Sequence, residues 1–337
     1  MKIAAYIGGL IGLTLLVTLM VRADYSAMLH AMLLAGWPLL WLLPFRALFF
    51  LLFAIGWQRL LRPYDSTRRA RLGYIFWVTT VRDAIDRLLP VASVGGGVAA
   101  VRLLCWRGLD AAPVGATVIA EILLGLIVSY LFAAAGLLLL IDLGAKDHDY
   151  GGLLTGLLAS LPVPILTALL LRYGSIFERL QTWLRPLVGA SELTDGAAAV
   201  DREVQATLAR LHALVAAGVL QFAALLSGAF EIWFALRLFG QPIGAEAAVA
   251  LEGINQAIRQ VAFIIPAGLG VQEAGLVLFG HALGINSELA LAVSMVKRIR
   301  EVLWGVGSLI SWQWLEGRRL ARTRPDMRHR PSEYSDP

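Results

Sequence analysis

Apolar runs long enough to cross a bilayer recur from Ile3 to Leu315. That recurrence constrains the chain more than any motif, because no single soluble core could hide so much apolar surface. Hydrophobic residues make up 58% of the 337 and charged residues only 16%, and the mean hydropathy is +0.71. Most of the chain must be solvated by lipid or by neighbouring spans, so it reads as an all-α polytopic membrane protein, and a large water-soluble catalytic domain is excluded. The lone Cys105 excludes an internal disulfide framework and a multi-cysteine metal site. Basic character is carried almost wholly by arginine, since Lys2, Lys146 and Lys297 are the only lysines. Basic loops beside apolar spans are what the positive-inside rule produces, so no nucleic-acid partner is expected.

The uncharged stretch 3–21 reads as a first span, because a cleaved signal peptide would be shorter and end differently. A second apolar run covers about 28–57, with Pro38 and Pro44 free to bend it. Trp57, Trp304, Trp312 and Trp314 are expected as interface anchors. Arg59, Arg62, Arg68, Arg69 and Arg71 then stand against a single acid, Asp65, and a second basic run fills the end of the chain; both should face the cytoplasm. Residues 113–141 form a span ending at Asp142, Asp147 and Asp149, an acidic patch suited to the outside. Residues 151–171 return inward, 175–212 form a cytoplasmic, partly amphipathic connector, 213–239 cross outward, and 288–315 come back in. The expectation is one integral-membrane domain, 1–315, with a basic cytoplasmic tail, 316–337, and both termini inside.

For that count to close, 72–107 and 246–284 must each enter and leave on the same side. Each breaks in the middle at proline and glycine: Pro90, Gly95 and Gly96 in the first, Pro266, Gly268 and Gly270 in the second. Both read as re-entrant helical hairpins, added to about six transmembrane helices. Irregular backbone at that depth is tolerated only where protein or a wet cavity covers it. The spacing also suggests an internal repeat: Pro90 to Gly108 matches Pro266 to Gly284, and Gly108 to Glu121 matches Gly284 to Lys297. Three spans separate the hairpins, so the repeat would be inverted, an architecture common in secondary transporters.

Ionisable residues inside the spans are the strongest chemical signal. Arg82, Asp83, Asp86 and Arg87 precede the first break, and Glu252, Asn255, Arg259 and Gln260 precede the second. Glu273 follows the second break, Glu121 lies in the span after the first hairpin, and Lys297, Arg298, Arg300 and Glu301 lie within the last span. At about 2.5–3.5 kcal/mol per charge at a helix centre, these groups must face inward. Six basic and six acidic residues balance, with Arg46 and Arg102 as basic extras. A balanced or slightly positive cavity suits an anionic or zwitterionic headgroup, since guanidinium forks bind phosphate oxygens in pairs. Any one of these residues reads equally well as a structural ion pair. The whole set favours a binding role, because buried pairs stabilise weakly compared with apolar packing. The five histidines lack metal spacing, and Gly95-Gly96-Gly97 lacks the strand and Lys-Ser/Thr of a phosphate loop.

Ile265 to Ala274, Leu283-Gly284 and Val296 to Glu301, with Trp57 to Leu61, Arg102 to Leu104 and Ala120-Glu121 in the first half, resemble the flippase-like family related to the transmembrane domain of lysylphosphatidylglycerol synthase. The likeness is closest to its hopanoid-cluster-associated, HpnL-type branch. Gly96-Gly97 stands where that family often has Gly-Glu. The resemblance implies a polytopic protein of the bacterial inner membrane that moves or handles lipid, phospholipid or hopanoid, with no cofactor and no aminoacyl-transferase domain. On this reading Arg82, Arg259, Lys297, Arg298 and Arg300 bind the headgroup, while Asp83, Asp86, Glu121, Glu273 and Glu301 balance or gate the charge. A lipid-modifying enzyme with Glu273 or Glu121 as base, and a non-catalytic subunit of a lipid machine, remain the alternatives. Homo-oligomers or biosynthetic partner proteins stay open.

Overall fold

Gly36, at φ 55°, and Pro38 open the second apolar run as a 3-10 turn over Trp37–Trp41. Helix α1, Leu42–Leu61, follows directly. Pro44 is accommodated in its first turn, where the missing amide would have no intrahelical acceptor anyway. Pro63 has no amide to continue the α-helical ladder, and the chain passes into a 3-10 turn over Arg62–Tyr64. The computed structural model describes residues 32–33, 35–88, 95–143, 151–174, 194–261 and 270–323, and among these the chain is helical with no strand.

After α1 come α2 (Leu72–Leu88), α3 (Gly95–Cys105), α4 (Ala111–Asp142), α5 (Gly151–Ser160), α6 (Pro162–Tyr173) and α7 (Thr194–Ala209). The second half holds α8 (Leu211–Leu238), α9 (Ala245–Val261), α10 (Val271–Ala282) and α11 (Ser287–Thr323). Among the described residues four segments are long and apolar enough to cross a membrane: 37–64, 111–142, 155–173 and 211–238. Helix α11 is longer, at 37 residues, but Lys297 to Glu301 and its arginine-rich end keep it out of that set. The span expected over 151–171 is divided into α5 and α6 at Leu161, ahead of Pro162.

Three pairings organise the bundle: α1 packs on α8, α4 on α9, and α2 on α11. Glycine brings α4 and α9 together, since a Cβ at Gly253 would lie 2.7 Å from Gly136 Cα and 2.9 Å from the Phe132 carbonyl oxygen. Between α2 and α11, Trp77 Nε1 donates to Ser311 Oγ at 2.9 Å, and Trp77 and Trp312 pack against one apolar cluster. That cluster joins Trp57, Ile75, Leu103, Leu104 and Val114 of the first four helices. A second joins Leu140, Ile232, Leu236, Ile254 and Val293, mostly from the later ones.

Trp57 corrects the expectation of an interface anchor. It is 1% exposed, and its Nε1 donates to Thr117 Oγ1 at 3.1 Å, so its ring is core and its polar edge is satisfied within the protein. Trp314, at 56% exposure, does stand on the surface. The amphipathic half of the connector is α7. It buries Val204 and Leu208 against Ala116, Ala120 and Leu123 of α4, and Thr207 Oγ1 meets Tyr64 Oη at 2.8 Å. The first span expected at 3–21, the breaks at Pro90, Pro266 and Gly268, Asp147 and Asp149, and most of the basic tail lie outside the described residues.

Candidate functional site

Charge placed on the inner faces of apolar helices must find counter-charge there, and the helices converge to provide it. Residues from α1, α2, α4, α8, α9 and α11 enclose a cavity of about 320 Å³, within the size range of ligand pockets. From α2, Asp83 Oδ1 accepts from Arg87 Nε at 2.8 Å and lies 3.5 Å from Arg46 Nη2 of α1. Arg87 and Asp83 are i,i+4 neighbours, so part of the contact is built by the helix itself. The other end of Arg87 crosses to α11, with Nη1 donating to Glu301 Oε1 at 2.9 Å. Arg82 pairs with Glu121 of α4. Lys297 Nζ donates to Glu252 Oε2 at 2.6 Å, and Gln256 Nε2 donates to the other oxygen of that carboxylate at 2.8 Å. Arg300 pairs with Glu231 of α8.

After these pairs are made, two charges of the cavity wall remain. Among the described residues Arg259 has no carboxylate within 4.0 Å; its Nη2 reaches Gln272 Oε1 at 3.5 Å, and its Nε has no partner there. Asp86 has no cation within 4.0 Å among the described residues; its Oδ1 accepts from the backbone N–H of Gly96 at 3.0 Å. That contact explains the glycine run. A Cβ at Gly96 would meet Asp86 Oδ2 at 2.5 Å and the Arg82 carbonyl oxygen at 2.6 Å, so only glycine lets α3 start this close to α2. Phe49, Phe50 and Phe53 form an aromatic wall, with the Arg46 guanidinium 3.8 Å above Phe49 and 4.7 Å above Phe50.

Of the residues expected from sequence, Arg82, Asp83, Asp86, Glu121, Arg259, Lys297, Arg300 and Glu301 line this cavity. Arg298 and Glu273 stand outside its lining and meet each other between α10 and α11, where Arg298 Nε donates to Glu273 Oε1 at 2.9 Å. Glu273 is fully buried and also accepts from Ser294 Oγ at 3.4 Å. Among the described residues Arg298 reaches the cavity network through Glu301, at 3.5 Å. Gly95 begins α3, and Gly270, at φ 76°, precedes the first turn of α10. Sequence reasoning missed Glu231 altogether. Its signal was a lone acid among Phe230, Ile232, Trp233 and Phe234, which cannot sit in an apolar span without a buried cation. Gln221 was missed too: it is buried, and neither amide atom has a partner. Among the described residues no group of three or more His, Cys, Asp or Glu side chains could hold a metal ion.

Fold and cavity define a multi-pass helical membrane protein whose interior charges face one another and a cavity. The chain belongs to the family described as the lysylphosphatidylglycerol synthase TM region, whose model matches residues 6–306. Neither curated proteins nor solved structures give a significant match. Membership ties this membrane protein to lipid metabolism.

Proposed function

We propose that this protein is a lipid flippase or transporter of the bacterial inner membrane, with both termini cytoplasmic and a phospholipid or hopanoid as cargo. The carrying observation is the cavity itself: a charge-balanced, half-open chamber of about 320 Å³ lined by helices that expose apolar side chains on their outer faces. A headgroup enters such a chamber without crossing hydrocarbon, while its tails stay in the bilayer. No enzymatic step is part of this reading. Glu121 and Glu273, the two carboxylates that could act as bases, are each held by an arginine.

The helix pattern supports alternating access by two related halves. Helices α3 and α10 begin at Gly95 and Val271, and α4 and α11 at Ala111 and Ser287. The positive-φ turns at Gly108 and Gly284 keep the same separation of 176 residues. Exchanging halves at that separation turns the α4–α9 pairing into α11–α2 and the α1–α8 pairing into itself, which is what an inverted repeat requires. The helices flanking each break have 17 and 11 residues in the first half and 17 and 12 in the second. At about 1.5 Å per residue none reaches the roughly 30 Å of hydrocarbon, in keeping with re-entrant hairpins.

The test is leaflet-resolved transfer of fluorescent lipids in proteoliposomes containing the full chain. Transfer well above that of empty vesicles, and its loss in Arg259→Gln, is the expected result. Background transfer with every lipid tried would end the transporter reading, and turnover of a lipid into product would replace it with an enzyme.

A further inference from the structure

The cavity wall carries six cations and six carboxylates, and the two left over after pairing are one of each, Arg259 and Asp86. A singly anionic ligand would satisfy Arg259 and leave Asp86 without a counter-charge; a singly cationic one would do the reverse. Only a ligand with both charges completes the set, and every unpaired charge in a low-dielectric chamber is costly. The form of the cationic end follows from the walls. A quaternary ammonium cannot donate a hydrogen bond and is bound through aromatic faces, but two of the three phenyl rings here are already covered by the Arg46 guanidinium. Asp86 offers instead a carboxylate on the cavity wall that receives one backbone amide at Oδ1, with no hydrogen bond to Oδ2 among the described residues. At the other end, the Arg259 Nε without a partner is a donor suited to a phosphate oxygen.

We infer that the cavity selects a zwitterionic headgroup with one phosphate and one primary ammonium, the phosphate on Arg259 and the ammonium on Asp86. This names the cargo class of the proposed transport site and rests on that cavity being where cargo binds. The same chemistry occurs in an amine-bearing phospholipid and in free phosphoethanolamine.

The test uses the full chain, delipidated in detergent, with phosphatidylethanolamine, phosphatidylcholine and phosphatidylglycerol of identical acyl chains, and bound lipid read by native mass spectrometry. Phosphatidylethanolamine should exceed both others by about tenfold or more, the worth of one charge-assisted hydrogen bond. Asp86→Asn keeps an acceptor for the Gly96 amide and should reduce phosphatidylethanolamine to the level of phosphatidylcholine while raising phosphatidylglycerol, whose anionic headgroup no longer meets the Asp86 charge. Arg259→Gln should weaken phosphatidylethanolamine and phosphatidylglycerol alike. Equal binding of the three lipids by the unaltered chain, or an ethanolamine preference that survives Asp86→Asn, overturns the inference. Failure of free phosphoethanolamine to compete at equal concentration identifies the lipid as the ligand; effective competition keeps the two contacts and assigns them to a water-soluble zwitterion. Selective binding without leaflet transfer of any lipid would remove the transport reading and leave this one. Leaflet transfer at equal rates without any binding preference would do the opposite.

Discussion

Arg300 and Arg259 show how differently two arginines of one cavity depend on their surroundings. The side chains of Arg300 and Glu231 are 4% and 2% exposed and form an ion pair, so removing one charge strands the other inside the protein. Glu231→Gln should lower stability by about 3–5 kcal/mol, read as a drop in the thermal unfolding midpoint in detergent. The double variant Glu231→Gln with Arg300→Gln should recover most of that loss; a double variant as unstable as the sum of the singles would mean that the two side chains act independently. Arg259 behaves oppositely, because it forms no ion pair within 4.0 Å with any carboxylate of the described residues. Arg259→Gln should leave the unfolding midpoint unchanged or raise it while transport falls steeply. A large loss of stability in that variant would make Arg259 a structural residue.

Among elements, the two crossings that exchange under the 176-residue shift are built from opposite materials. Gly136 and Gly253 bring α4 and α9 into backbone contact, as small residues do where membrane helices pack closely. Between α2 and α11 the corresponding places hold Trp77 and Trp312, with Trp77 bonded to Ser311. A methyl group added at Gly253 must push the helices apart, so Gly253→Ala should cost about 1–3 kcal/mol. Gly115 lies on α4 with nothing within 4 Å of its added Cβ, and Gly115→Ala should stay within about 0.5 kcal/mol of the unaltered protein. Thermal melts of the two variants side by side check the contrast; equal effects would show that the α4–α9 contact is looser than the glycines imply.

For the whole molecule, orientation follows from charge and is read by labelling. With Cys105 replaced, a cysteine at Arg68, exposed in the basic loop after α1, should react with a membrane-impermeant maleimide only after permeabilisation. A cysteine at Asp147 should react in intact cells whose outer membrane admits the reagent. Reaction at position 68 from outside would overturn the orientation expected from the two basic stretches.

Membrane residence, the helical class and the inward direction of the charges were legible in the sequence, because each follows from a local quantity. Run length decides spanning, and the cost of a charge in lipid decides which way Arg82, Glu121 or Lys297 must point. The equal spacings from Pro90 to Gly108 and from Pro266 to Gly284 were legible for the same reason, since they are properties of the chain and not of its packing. Which charge meets which was not legible. Lys297 and Arg298 are adjacent in sequence, yet the turn of α11 sends one to Glu252 in the cavity and the other to Glu273 behind it. Trp57 looked like an interface residue because its type favours the headgroup region, but Thr117, sixty positions away, draws its N–H into the core. Glu231 gave a local signal without an identifiable partner, because Arg300 lies 69 positions further on. Side-chain chemistry fixes that a buried charge needs a counter-charge; only the crossing of α1, α2, α4, α8, α9 and α11 decides which charges find one and leaves Arg259 and Asp86 to face the cavity.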